Sequence, residues 1–143
     1  MKAGIWMAMD IEQLPSTKSR ITMNTPESIN GEIERQIEAN VNYFKRQDKE
    51  AIEQRISQLN REWDAERVLE LNMASIAFAS SLLGLAVNKK WMYVSGAVSV
   101  FMLQHAIQGW CPPLPLIRKL GVRTVDEINL EKQALQNLLD DEL

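Results

Sequence analysis

The sequence holds one cysteine and one histidine in 143 residues. A lone cysteine excludes an internal disulfide framework and leaves a free thiol or an intermolecular bond. A lone histidine with no ligand cluster beside it excludes the usual spacings of a zinc site. A basic excess is also missing. Sixteen Lys and Arg against nineteen Asp and Glu give a net charge of −3, which carries no electrostatic footprint for nucleic acid. No Gly-rich phosphate loop, paired carboxylates or nucleophile–base motif occurs. Ile5 to Met9 is too short for the apolar core of a secretory signal, and Asp10 closes it.

The most informative absence is of charge. Leu71 to Val87 carries none, and Trp91 to Ile117 carries none with His105 neutral. Asn88, Lys89 and Lys90 alone separate the two runs. The mean hydropathy of −0.23 hides this partition into an apolar middle and charged ends. Two apolar runs of about 20 residues each predict a helical hairpin that crosses a bilayer twice. Seven strongly apolar residues give the first run only roughly −2 to −4 kcal/mol of insertion free energy, so it inserts together with the second. The rival is a soluble bundle of long helices. Such a bundle needs charges on one face of every turn, and here whole turns lack them.

What surrounds the hairpin predicts more helix, and the fold class is all-α. Residues 1–24 read as a flexible N-terminal segment with a small apolar cluster at Ile5, Trp6, Met7 and Met9. Residues 25–67 read as a pair of amphipathic helices. Thr25 caps the first, with Pro26 at its first position and Ile29, Ile33, Ile37, Val41 and Phe44 as its stripe. Asp48 caps the second, striped by Ile52, Ile56, Leu59 and Trp63. No Pro or Gly stands between Lys49 and Leu83, so this helix is free to run unbroken into the membrane. Residues 68–111 are the transmembrane hairpin. Residues 112–143 are a Pro-rich exit, expected to be extended, and a last helix opened by a Thr124/Glu127 capping box.

Small residues mark where the two spans meet. Ala74, Ala77, Ser81 and Gly84 line one face of the first, and Ser95, Ser99, Ala106 and Gly109 one face of the second. Small faces let membrane helices approach closely. Ser80 with Gly84 forms a further small pair, available to a second subunit. Arg55, Arg61 and Arg67 before the hairpin, and Arg118, Lys119 and Arg123 after it, outnumber Lys89 and Lys90 in the turn. That excess puts both termini in the cytoplasm.

Two groups are candidates for function. Cys111 stands before Pro112 at the helix exit, either as a reactive thiol or as a small residue in a sharp turn. Gln104, His105 and Gln108 share a face directed away from the seam, a polar patch for a neighbouring subunit, a lipid headgroup or a quinone, or a set of structural hydrogen bonds. His105 and Cys111 are six positions apart, roughly 240° on a helix, so they do not form a metal site. No metal or cofactor is expected.

The run from His105 to Thr124, HAIQGWCPPLPLIRKLGVRT, resembles the signature of the YgaP-like inner-membrane domain family. Its Gly-x-Cys-Pro is Gly109 to Pro112, and its Leu-Gly-x-x-Thr is Leu120 to Thr124. The resemblance covers about residues 65–125. It implies a two-helix hairpin in the bacterial inner membrane. Some family members carry a rhodanese, which this sequence does not contain. The leading expectation is a non-enzymatic membrane protein in contact with the lipid bilayer, a self-associating homo-oligomer or an accessory subunit of a larger membrane complex. The alternatives are sulfur handling through Cys111 with a separate rhodanese-type partner, and an oligomeric transport pore.

Overall fold

The structure is a computed structural model and describes residue 16 and residues 18–141. The apolar cluster expected at Ile5 to Met9 lies outside the described residues, as does most of the segment read as flexible. Among the described residues there are seven helices and no strand: α1 (Arg20–Met23), α2 (Glu27–Phe44), α3 (Lys49–Leu59), α4 (Ala65–Ala86), α5 (Trp91–Gln108), α6 (Leu114–Lys119) and α7 (Val125–Asp141). The described residues are all-helical in class, as the periodicities imply.

α4 and α5 form an antiparallel hairpin and share the most extensive contact in the fold. Ser81 and Ser95 hydrogen-bond across it, Oγ to Oγ, at 2.9 Å. Gly84 sits so close to Met92 that an added Cβ would lie 2.5 Å from its sulfur. Ala77 packs half-buried against Met73 and Val98. The rest of the small-residue pattern departs from expectation. Ala74, Ser99 and Ala106 are exposed, while Met73, Val98 and Met102 fill the contact. Ser80, read as free for a second subunit, is buried and bonds back to Ile76 O at 2.7 Å. Large flexible Met side chains close the gap that small residues would have closed by approach.

α4 is the one described helix long and apolar enough to cross a membrane by length and composition. α5 has the length, but Gln104, His105 and Gln108 in its last two turns lower its hydropathy. Of the 21 exposed large hydrophobic residues among the described ones, 14 lie between Leu71 and Leu103, on this hairpin and its turn.

The other helices bury their stripes conventionally. α7 packs on α2 and α3, with Ile52, Leu59, Ile128 and Leu135 as the core and Phe44, Ile56, Leu138 and Leu139 around it. A second core gathers Ile21, Ala65, Leu69, Met73, Val98, Cys111, Leu114 and Ile117 at the open end of the hairpin. Asp48 caps α3 through Ala51 N–H at 2.9 Å. Thr124 N–H donates to Glu127 Oε2 at 2.7 Å, and Glu127 N–H to Thr124 Oγ1 at 3.3 Å, a reciprocal capping box on α7.

Three local expectations are corrected. The helix from Lys49 does not run into the hairpin; it stops at Leu59 and restarts at Ala65. At the restart Ala65 N–H, one of the donors a helix start leaves open, donates to Arg123 O at 2.8 Å. The proline exit is not extended. It folds into α6, with Pro113 as N-cap and Pro115 in the first turn, where proline's missing N–H costs nothing. Thr25 is not the cap of α2, since Pro26 takes that place. The Thr25 hydroxyl instead donates to Ile21 O at 2.7 Å and accepts from Arg118 Nε at 3.2 Å.

Candidate functional site at the base of the hairpin

The polar residues singled out in α5 converge with α1 and the start of α4. The last carbonyls of α5 are orphan acceptors at the negative end of its dipole. Arg20 Nη1 donates to Ala106 O at 3.2 Å, and Asn24 Nδ2 to Gln108 O at 2.9 Å. Arg20 also pairs with Glu66 of α4 through Nε and Nη2. α1 is thus a clamp across both helices. Gly109 allows it: the residue lies at φ 79°, and a Cβ there would fall 2.7 Å from Arg20 Cβ and 2.8 Å from its carbonyl oxygen. Gly109 therefore ends α5 rather than lining the α4–α5 seam.

The Gln104, His105 and Gln108 patch is divided. Gln104 is half-buried and Gln108 exposed, but His105 is only 5% exposed, with no hydrogen-bond partner on Nδ1. His105 does not face outward; it lies among Arg20, Glu66 and Glu70. Cys111 is fully buried beside Ile21, Leu69 and Leu114. An apolar pocket without a paired cation is the setting of an inert thiol rather than a reactive one. Among the described residues no three His, Cys, Asp or Glu side chains are grouped to hold a metal.

Beyond α6 lies an ionic network that sequence reasoning missed. Arg118 is fully buried and uses all five of its N–H donors. Nε meets Thr25 Oγ1, Nη1 meets Val122 O at 2.9 Å and Glu127 Oε2 at 2.7 Å, and Nη2 meets Asn30 Oδ1 at 3.0 Å and Glu127 Oε1 at 2.6 Å. Burial pushes the Glu127 carboxyl up, but the bonds from Arg118 and from Thr124 outweigh it and hold Glu127 below the usual carboxylate range. Arg123 grips Glu62 with Nε at 2.8 Å and Nη2, and Glu131 with Nη1. Burial opposes the Arg123 charge, yet its bonds to Glu62 and Glu131 prevail and raise its affinity for the proton. Glu131 is fully buried and also accepts from Arg55 Nε at 2.9 Å and from Asn40. One signal for this was present. Glu131 falls between Ile128 and Leu135 on the apolar stripe of α7, an acid where the pattern calls for an aliphatic residue.

A cavity of about 190 Å³ opens beside this base, lined by Lys18, Ile21, Asp64, Glu66 and Asp126 among others. Its carboxylates are not arranged about a nucleophile. The arrangement as a whole joins elements: Arg20 ties α1 to α4 and α5, Arg118 ties α6 to α2 and α7, and Glu131 ties α7 to α2, α3 and the Arg123 turn.

Residues 64–126 match the family model described as "Inner membrane protein YgaP-like, transmembrane domain". No curated protein and no solved structure matches the chain.

Proposed function

From the premise that residues 64–126 are a YgaP-like transmembrane domain, we propose that this is a non-enzymatic protein of the bacterial inner membrane. α4 and α5 cross the bilayer as a hairpin, and both termini are cytoplasmic. α2, α3 and α7 form a cytoplasmic helical module on its base. The protein acts as a self-associating scaffold or as an accessory subunit of a membrane complex.

The observation that carries this reading is a contrast of surfaces. The hairpin presents exposed Phe78, Leu85, Tyr93, Val100 and Leu103, while the cytoplasmic part is knit by buried ion pairs. An apolar surface of that extent demands lipid or protein against it. Two serine hydroxyls and one amide N–H on this surface are satisfied by carbonyls of their own helix. Asn72 bonds Val68 O, Ser75 bonds Leu71 O and Ser99 bonds Ser95 O, each at 2.7–2.9 Å. Such back-bonding lets polar side chains face hydrocarbon. Burial of Cys111 supports a structural part for it in place of sulfur handling.

Cross-linking in native membranes, followed by native mass spectrometry of the extracted protein, tests the reading. The expected result is a defined oligomer or a stoichiometric partner complex. A strictly monomeric protein with nothing co-purifying would sink it.

A further inference from the structure

The hairpin is short for the bilayer it is proposed to cross. At one end stands the Asn88–Lys90 turn, all three residues exposed. At the other stands a polar belt. Arg20 is bound to Glu66 and to Ala106 O, which sets α1, the first turn of α4 and the last turn of α5 at one level. His105 lies within the reach of Arg20, Glu66 and Glu70, and Gln104 adjoins it. Asn72 directs its amide to Val68 O, toward this belt.

Between belt and turn, α4 offers only the residues Leu71 to Val87, which span about 25 Å at 1.5 Å per residue. α5 offers Trp91 to Leu103, about 20 Å. The hydrocarbon core of an ordinary bilayer is about 30 Å thick, and any tilt shortens both helices further. Glu70 is exposed, and the charges of Arg20 and Glu66 are fixed to each other by their ion pair.

Building on the spanning reading, we propose that the hairpin is matched to a thin bilayer and draws the cytoplasmic headgroups inward to the level of Glu70 and Gln104. The partner of this surface is lipid with short acyl chains. In thicker membranes the same hairpin carries a mismatch strain, relieved by local thinning.

The test is thermal unfolding of the full chain by circular dichroism. The protein is reconstituted in vesicles of monounsaturated phosphatidylcholines, from about 14 to about 22 carbons per chain. The expected midpoint is highest in the shortest chains and falls steadily toward the longest. A maximum at about 18 carbons or beyond overturns the proposal. Gln104→Leu with Gln108→Leu extends the apolar stretch of α5 by about a turn, and the optimum is expected to move to longer chains. An optimum that stays put overturns the proposal too. Should that variant not fold, the wild-type series decides alone. Lys89→Cys, probed in cells with a membrane-impermeant thiol reagent, reports crossing itself. Absence of labelling removes the spanning reading and the thickness match with it, whereas labelling with a long-chain optimum removes the thickness match only.

Discussion

Arg118 has the most to lose from substitution. Its guanidinium is fully buried and meets five acceptors, two of them on Glu127. A buried ion pair is weak evidence of net stability, but removing one partner leaves the other charge uncompensated. Arg118→Ala is expected to lower unfolding free energy by about 3–5 kcal/mol. Arg118→Met with Glu127→Leu, which removes both charges, is expected to recover much of that loss. Denaturant titration in detergent checks both. Gly109 makes a different demand. Its φ of 79° and its contact with Arg20 admit no Cβ, so Gly109→Ala is expected to cost about 1–3 kcal/mol in the same titration. The lone cysteine, by contrast, is a packing residue. Cys111 is expected to resist maleimide reagents in the folded protein and to react on denaturation, as mass spectrometry would read.

At the scale of elements, charge fixes how the helices dock. α7 lies against α2 and α3 over an apolar core, yet Glu127 and Glu131 set its rotation and register by reaching Arg118, Arg123, Arg55 and Asn40. The Glu127 pair makes this docking pH-dependent with a definite sign. The folded carboxyl is held below its unfolded value, so the unfolded chain takes up the proton first as pH falls. The stabilisation is complete above the ordinary carboxylate range and is lost as pH drops through the depressed folded value. Thermal midpoints are expected to fall with acid more steeply for the wild type than for Glu127→Gln. Equal slopes would remove Glu127 as the cause.

For the whole molecule, the two cores behave differently. One is enclosed by α2, α3 and α7. The other sits beneath a hairpin whose outer surface is apolar and uncovered. Alkaline carbonate extraction is expected to leave the protein in the membrane pellet, and release into the supernatant would revive the soluble bundle. Proteolysis of sealed inverted vesicles is expected to cut the segments on both sides of the α4–α5 hairpin, because Arg55 and Arg61 before it and Arg118, Lys119 and Arg123 after it outnumber Lys89 and Lys90 in the turn.

The sequence by itself determined the apolar stripes of α2, α3 and α7, the caps at Asp48 and Thr124, and the charge-free hairpin. Each rests on local chemistry: periodicity, turn residues and the lack of charge over whole turns. The Gly-x-Cys-Pro run also pointed to the family whose model matches residues 64–126. Tertiary structure alone decided the rest. Nothing in Asn60 to Asp64 breaks a helix, and the break exists because Arg123, some sixty positions on, supplies the acceptor for Ala65 N–H. Pro112 to Pro115 forbid a continuing helix but not a new one. Arg118 and Arg123 read as exposed topogenic charges until long-range partners on α2, α3 and α7 bury them. His105 and Cys111 read as a functional rim until α1 closes over it. These outcomes depend on contacts between residues far apart in the chain. Their free energy comes from pairing buried polar groups, and a local pattern does not name the partner.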